Sequence, residues 1–327
     1  MNLATVARRL ARAALAAGLA LAASAAAAQA WPSKPITIVS PYPAGGITDL
    51  LSRIVGEEYA KVFGHPVVVE NRTGAGGAIA LAAVAKAAPD GYTLVMGGSA
   101  PSVIVPALNR NVSYGPKDFE AIGYVAGLPI VLVAHPSIPA AKLDEFLAYV
   151  RANSGKLNCG HHGIGTGTHL ACVQFARMTG TTIPDVGYKG APQVNADLLA
   201  NRVQLYFATL PTQIGYVRAG QMRAYGVASP ERAPAAPEIP TLEEQGLRGL
   251  NLDTWNALYA PAGTPRPIIQ RLNAELVKIL NRPEVRKRIE ATGSIVRPGS
   301  AEALARLTAD EYANYRKLAA DANIRME

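Results

Sequence analysis

The chain has 327 residues, of which 49% are apolar and 17% charged, and 32 Lys and Arg outweigh 24 Asp and Glu for a formal net charge of +8. This composition indicates well-filled cores, and the length favours two domains over one. The basic residues do not cluster with aromatic residues, and the densest basic run, 286–288, lies in a helical pattern. The sequence therefore predicts no nucleic-acid partner.

The first 30 residues have the pattern of a secretory signal peptide. Arg8, Arg9 and Arg12 form a basic start, and an apolar run at 13–23 follows that is too short to span a bilayer permanently. Small residues precede a predicted cut after Ala30. We expect Sec rather than twin-arginine export, a periplasmic mature chain, and a net charge lowered from +8 to +5 by the loss of three arginines.

Strand and helix signals alternate along the mature chain. Strands are predicted near 36–40, 66–70 and 92–96 with helices between them, and two adjacent apolar runs, 121–126 and 129–134, then break the rhythm. A second βα series follows, before a last strand and three helices. The pattern predicts two α/β domains joined by two or three crossing strands. We place lobe 1 at 31–128 and 228–327, and lobe 2 at 129–227.

The stretch from Ile36 to Arg53 predicts a site for an anion. A short apolar strand leads into Gly45-Gly46, which let the backbone turn into a helix that begins near Ile47. The first helical N–H groups have no internal acceptor and favour a carboxylate or a phosphate beyond the strand. Asp49 lies in the first helical turn, where capping is a better interpretation than acid catalysis.

Lobe 2 has its own version of this junction. A strand predicted at 157–160 leads into a glycine-containing loop at 161–167 and then into a helix. Two such loops can face each other across a cleft and hold a small carboxylate between two helix N-termini without Arg or Lys. For either loop alone, a simple tight turn remains the alternative interpretation.

Several short motifs occur in an order and at a spacing that are specific when taken together. They are Pro43-Ala44-Gly45-Gly46 with Asp49, Glu70-Asn71-Arg72 with Gly74-Ala75-Gly76-Gly77, Pro89 to Leu94, Gly165 to Leu170, Tyr188-Lys189-Gly190, and Trp255 with Pro261 to Pro265. Through them nearly all of the mature chain resembles the extracytoplasmic receptors of tripartite tricarboxylate transporters, the Bug-type solute-binding proteins.

The resemblance implies a two-lobed α/β fold of the type II periplasmic-binding-protein class with crossing hinge strands. It implies a monomeric receptor, not an enzyme, that needs no cofactor, closes on a small carboxylate or dicarboxylate and delivers it to membrane permease subunits. The ligand contacts implied by the resemblance are Tyr42, Gly45, Gly46, Ser99, Gly165, Thr166, Thr168 and Thr209.

His161-His162 stands where these receptors tend to carry small hydroxyl residues. We include His161 among the candidate ligand contacts, because an imidazole in the cleft could hydrogen-bond a carboxylate and strengthen its binding as the pH falls from about 8 to 5.5. Alternatively, one histidine packs inside and the other is solvated. The loop also leaves open a secreted hydrolase or esterase, and a ligand-sensing subunit for a signalling kinase is a third possibility.

The same segment contains candidates for a metal site and for a disulfide. Cys159, His161, His162 and His169 are close in sequence, but adjacent histidines on an extended segment point to opposite sides and the spacing matches no usual zinc pattern, so we predict no metal site. Cys159 and Cys172 are the only cysteines, and export allows them to form a disulfide. The alternative is that Cys172 is a buried apolar residue.

Overall fold

The computed structural model describes residues 31–109, 111–164, 166–250 and 252–321. The predicted signal peptide and Gly165 lie outside these ranges. The strands are β1 (Ile36–Ser40), β2 (Val67–Asn71), β3 (Thr93–Gly98), β4 (Phe119–Ala134), β5 (Cys159–His161), β6 (Asp185–Gly187), β7 (Leu205–Thr209), β8 (Arg223–Val227), β9 (Asp253–Pro261) and β10 (Ile295–Val296).

Helices follow most of these strands. The α-helices are α1 (Ile47–Phe63), α2 (Ala78–Val84), α3 (Val105–Leu108), α4 (Leu143–Ala152), α5 (Gly167–Thr179), α6 (Ala191–Leu199), α7 (Ile214–Arg218), α8 (Arg266–Asn281), α9 (Pro283–Glu290) and α10 (Ala301–Asp321), with a π-helical segment at Ser99–Ile104. Across the described ranges no helix combines the length and apolarity needed to cross a bilayer.

A single mixed sheet connects the two halves of the molecule. Its strand order is β2-β1-β3-β9-β4-β7-β5-β6, with β8 and β10 also paired to β4. The first part of β4, from Phe119 to Pro129, pairs with β9, and the part from Ile130 to Ala134 pairs with β7 and β8. Strand β4 therefore crosses from one half of the molecule to the other.

The two apolar runs predicted around Pro129 form one strand, β4, instead of two. Proline lacks the N–H that a ladder hydrogen bond requires. Pro129 is tolerated because it is the last residue paired with β9, while Ile130 is the first one paired with β7. The missing donor thus falls where pairing passes from one neighbour to the next.

In the part of the chain that the structure describes, the core of each lobe consists of two clusters of buried hydrophobic residues. Alternate residues of β4 face opposite sides, so that Ile130 and Leu132 belong to one cluster and Val131 and Val133 to another. These two clusters draw on residues 130–250, whereas the other two draw on 31–128 and 255–304.

The core clusters correct one predicted lobe boundary. Residues such as Ala236, Leu242 and Leu250 were assigned to lobe 1 but pack with the clusters of residues 130–227. The Pro- and Ala-rich connection after β8 keeps its apolar residues in lobe 2, and the backbone N–H of Leu252 donates to the carbonyl of Ala228. Lobe 2 accordingly continues to 252, and lobe 1 resumes with β9.

Candidate functional site

A cavity of about 60 Å³ lies between the two lobes. Lobe 1 contributes Tyr42, Gly46, Thr48, Ser99 and Asn256 to its wall, among others. Lobe 2 contributes His162, Thr166, Thr168, Gly190 and Thr209, among others. None of the described lining residues is Asp, Glu, Lys or Arg. Its described lining therefore combines hydroxyl, amide and backbone groups with apolar side chains and contains no charged side chain.

The lobes touch each other at the edge of this cavity. A Cβ atom added to Gly190 of lobe 2 would lie 2.7 Å from Cδ of Pro43 in lobe 1. A Cβ atom added to Gly76 of lobe 1 would lie 2.8 Å from the carbonyl oxygen of Ile164 in lobe 2. Backbone thus meets the opposite lobe at two places, and the structure has a closed cleft.

The first glycine loop is held by Asp49. Gly45 has φ +84°, which favours glycine, and its N–H donates to Asp49 Oδ2 over 3.1 Å. Burial alone would raise the pKa of Asp49, but hydrogen bonds from Arg53, Asn71 and Gly45 outweigh burial and hold this pKa below its usual value. Asp49 therefore remains a carboxylate that braces the loop, as capping predicts.

Gly45 and Gly46 shape the turn, and their N–H groups donate within the loop instead of to a ligand. Gly45 does not line the cavity, and its N–H is taken by Asp49. Gly46 does line the cavity, but its N–H closes the turn by donating to the carbonyl of Pro43 over 3.3 Å. The donors that a helix start leaves without an internal acceptor are those of Ile47 and Thr48, which follow Gly46 and also line the cavity.

The second glycine loop has a similar arrangement at the start of α5. Thr166 is the N-cap, and its Oγ1 accepts from the N–H of His169 and donates to the carbonyl of Gly163 over 2.8 Å. Thr168 Oγ1 lies 2.9 Å from Thr166 Oγ1 and accepts from the N–H of His162. These two predicted contacts line the cavity, but their hydroxyl groups mainly order the loop and leave the N–H groups at the helix start for an anion.

Tyr42, Ser99 and Thr209, which the family resemblance implies as ligand contacts, also line the cavity. The hydroxyl of Tyr42 donates to the carbonyl of Gly76 over 3.3 Å, and burial raises its pKa, so this phenol stays neutral. Within the described ranges the Ser99 hydroxyl has no hydrogen-bond partner, although Ser99 is only 3% exposed. Ser99 is therefore a donor that a ligand can use.

The histidine in the cavity wall is His162, which corrects the choice of His161. Nε2 of His162 is hydrogen-bonded to the hydroxyl of Tyr206. Burial, reinforced by the neighbouring His161, lowers the pKa of His162 to about 3. His162 is then neutral between pH 5.5 and 8, so it supplies no imidazolium in this range, and the expected gain of affinity at low pH loses its support.

His161 is fully buried and turns away from the cavity wall. Its Nε2 lies 3.0 Å from Asp185 Oδ2, and its Nδ1 accepts from the N–H of Gly163 over 3.1 Å. Burial lowers the pKa of His161, and the partly opposing effect of Asp185 does not reverse this shift. The alternation of side chains along an extended segment explains why only one of two adjacent histidines faces the ligand.

Cys159 and Cys172 are joined by a disulfide, with Cα atoms 6.1 Å apart. The bond links β5, which leads into the second glycine loop, to α5, which leaves it. Both ends of the loop are thereby fixed to each other. The sequence alone allows either this disulfide or a buried, unpaired Cys172.

Sequence reasoning missed several residues of the cavity wall. Asn256 of β9 accepts from Thr48 Oγ1 over 3.2 Å and donates to the carbonyl of Gly97, so it ties the first turn of α1 to β9 and β3. Trp255 both lines the cavity and donates Nε1–H to Glu311 over 3.2 Å. Trp255 belongs to one of the sequence motifs that carry the family resemblance, whereas no pattern in a single sequence indicates that Asn256 lines the cavity.

Comparison with known proteins agrees with this architecture. The family model described as "Tripartite tricarboxylate transporter family receptor" matches residues 51–324. A protein from Pseudomonas sp. (strain P51), described as a UPF0065 protein in the tcbD-tcbE intergenic region, is 36% identical over 322 residues, which are 97% of this chain and 95% of that protein.

Two solved structures extend the comparison to the fold. The periplasmic binding protein BugD aligns with a TM-score of 0.85 at 32% identity and covers 91% of this chain and 100% of its own. MatC from Rhodopseudomonas palustris, solved with bound malate, aligns with a TM-score of 0.83 at 33% identity and covers 88% of this chain and 99% of its own. The predicted two-lobed fold is confirmed, and the chain belongs to the tripartite tricarboxylate transporter receptors, a family of periplasmic solute-binding proteins and not of enzymes.

Proposed function

We propose that this receptor captures a small carboxylate or dicarboxylate by closing its lobes and delivers it to a tripartite tricarboxylate-type membrane transporter. The main support is the cavity wall, in which the starts of two helices and the Ser99 hydroxyl supply donors and no charged side chain is present among the described lining residues. Malate in the related MatC belongs to the same ligand class.

Neutral donors are sufficient to hold such a ligand. A micromolar Kd corresponds to about 8 kcal/mol. Each hydrogen bond from a neutral donor to a carboxylate contributes about 1.5–3 kcal/mol, and the positive ends of two helix dipoles act in the same direction. Closure of the lobes on the ligand strengthens these interactions, because water displaced by the ligand no longer competes for the donors.

The size of the cavity limits the ligand. A volume of about 60 Å³ in the closed structure holds roughly four to six water-sized groups. This favours an acid of a few carbon atoms over an oligomer or a cofactor. Apolar wall residues such as Leu128, Pro101 and Pro192 favour a short carbon chain between the polar ends.

The esterase alternative loses its support. It requires a histidine base in the cleft, but His161 is buried against Asp185, and His162 is hydrogen-bonded to Tyr206. The family is one of receptors. We therefore propose that the second glycine loop binds and does not catalyse.

We further propose that the mature chain begins at Trp31 and acts in the periplasm as a monomer. The ring of Trp31 packs 5.5 Å from that of Phe63 and 6.0 Å from that of Tyr92, and its carbonyl accepts from Arg271. The residue that follows the predicted cut is thus part of the lobe 1 core, which is consistent with cleavage there. Mass spectrometry of the exported protein tests the cut directly.

A ligand screen tests the binding proposal. Mature protein, unfolded in guanidinium with its disulfide intact and refolded to remove carried ligand, is screened by thermal shift against malate, succinate, adipate and benzoate. At a concentration of a hundred times Kd a ligand adds about 2.7 kcal/mol of stability. The methyl ester of each hit, with both carboxyl groups esterified in a diacid, is the matched control. Stabilisation by no acid, or equal stabilisation by acid and ester, contradicts the proposal.

Delivery needs a separate test. Vesicles that contain the permease subunits are supplied with labelled hit acid, with and without the receptor. The proposal predicts that uptake requires the receptor. Uptake at the same rate without the receptor contradicts the transport role while leaving the binding role intact.

A further inference from the structure

Three side chains of lobe 2 that do not line the carboxylate cavity converge close to one another. They are His161 at the end of β5, His169 in the first turn of α5 and Asp185 at the start of β6, and their donor atoms all lie within 4.8 Å of one another. Asp185 Oδ2 is 3.0 Å from Nε2 of His161 and 3.6 Å from Nε2 of His169. The two imidazole rings have their centroids 4.6 Å apart.

The fold explains why these residues meet. Cys159 and His161 are two positions apart on β5 and so face the same side, and His169 and Cys172 are three positions apart on α5 and so share a helix face. The disulfide Cys159–Cys172 joins these two faces and brings the two histidines together beside it. Asp185 is level with Cys159 on the neighbouring parallel strand.

The geometry points to a binding site for a divalent transition-metal ion of the Zn²⁺ type, formed by His161, His169 and Asp185. Bonds of about 2.0–2.1 Å from a tetrahedral ion place two ligand atoms roughly 3.3 Å apart. The separations of 3.0 and 3.6 Å lie on either side of this value. Two imidazole nitrogens with one carboxylate select Zn²⁺, Ni²⁺ or Cu²⁺ over Mg²⁺ and Ca²⁺, which prefer oxygen ligands.

The ion can enter from solvent. The side chain of Asp185 is 42% exposed and that of His169 is 16% exposed, whereas His161 is fully buried. Three protein ligands leave a fourth position for water. The sequence missed this set because its third member comes from a different strand, while two of the neighbours that suggested a metal serve elsewhere: Cys159 in the disulfide and His162 in the cavity wall.

Metal binding must displace two hydrogen bonds of His161, one of which, to Asp185, it replaces by coordination. Nδ1 of His161 accepts from the N–H of Gly163, so without metal the ring proton is on Nε2, which donates to Asp185. A metal ion on Nε2 requires the proton on Nδ1, and Gly163 then loses its acceptor. Loss of one neutral hydrogen bond lowers the affinity by roughly fivefold.

The simpler role of the cluster is a hydrogen-bonded brace for the loop, and calorimetry separates the two roles. Untagged mature protein, treated with chelator, is titrated with ZnCl₂ and, separately, with MgCl₂. The site predicts one Zn²⁺ per chain, no measurable Mg²⁺ binding, and an affinity lowered about tenfold or more by His169→Ala or Asp185→Asn. His135→Ala is the matched control, because His135 bonds Ser137 outside the cluster and should bind Zn²⁺ as the wild type does.

Folding of the variants is checked by thermal unfolding without metal. Asp185→Asn keeps the shape of the side chain, and the side chain of Asp185 is partly exposed to solvent. This variant should therefore fold like the wild type. Zinc should raise the melting temperature of the wild type and of His135→Ala, but not that of Asp185→Asn. Absence of zinc binding by the wild type, or wild-type affinity in both cluster variants, overturns the proposal.

Discussion

Replacing Gly190 by alanine should prevent full closure of the cleft. Gly190 has φ 167°, an extended conformation that alanine adopts without strain. The added Cβ would lie 2.7 Å from Cδ and 3.2 Å from Cγ of Pro43, closer than the 3.4–4 Å of ordinary contacts. Gly190 and Pro43 belong to different lobes, so the clash exists only when the lobes are together.

The size of the effect follows from the cost of overpacking. An extra methyl group in a packed contact costs about 1–3 kcal/mol. If the free protein is mainly open, this cost in free energy arises only when the lobes close on the ligand. Kd should then rise by about 5- to 150-fold. The stability of the ligand-free protein should stay the same.

Calorimetry with the acid selected in the ligand screen measures this change. Gly215→Ala is the matched control, because Gly215 lies in α7 and a Cβ atom there would meet nothing within 4 Å. Its Kd should equal that of the wild type. A wild-type Kd for Gly190→Ala would refute closure as the structure has it, and a large loss of stability in the free variant would show that the free protein is already closed.

Three further predictions concern single groups. Ser99→Ala should weaken carboxylate binding by about 10- to 150-fold in calorimetry, because it removes a donor to a charged group, whereas Ser40→Ala, which also removes a buried hydroxyl without a partner but lies outside the cavity, should not. His162 has a pKa of about 3 in the folded protein against about 6.5 when unfolded, so the unfolded chain binds the extra proton between these values and stability falls with falling pH. From pH 6.5 to 5 this one group should remove about 1–2 kcal/mol in urea titrations, a loss that His162→Gln should lack, while carboxylate affinity stays flat from pH 8 to 5.5. Replacing Cys159 and Cys172 together by alanine should lower the free energy of unfolding by about 3 kcal/mol, given the separation of 13 residues; an unchanged urea midpoint would show that the bridge contributes nothing.

Local patterns predicted most of the elements. The glycine turn into α1 and the helix start after Thr166 follow from backbone chemistry that a short window of sequence contains. The single strand β4 did not follow, because whether Pro129 interrupts a strand depends on which neighbours pair with it. The lobe boundary near 228 was misplaced for the same reason, since only packing shows that Leu242 and Leu250 fill lobe 2.

The candidate site was predictable as far as its two loops. The family resemblance indicated Ser99, Thr166 and Thr209 as contacts, but not which hydroxyl groups are already hydrogen-bonded to neighbouring groups. The choice between His161 and His162 needed the direction in which each ring points. Asn256 and Asp185 come from distant strands, and no local pattern relates them to the loops that they contact.

Small-angle scattering of the mature protein tests the central claim most directly. A ligand held between two lobes stabilises the closed form over the open one. Lobe closure predicts that the radius of gyration decreases when the acid selected in the screen saturates the wild type, and that it approaches the value calculated from the structure with its cleft closed. A radius that stays unchanged at saturation would contradict capture by lobe closure.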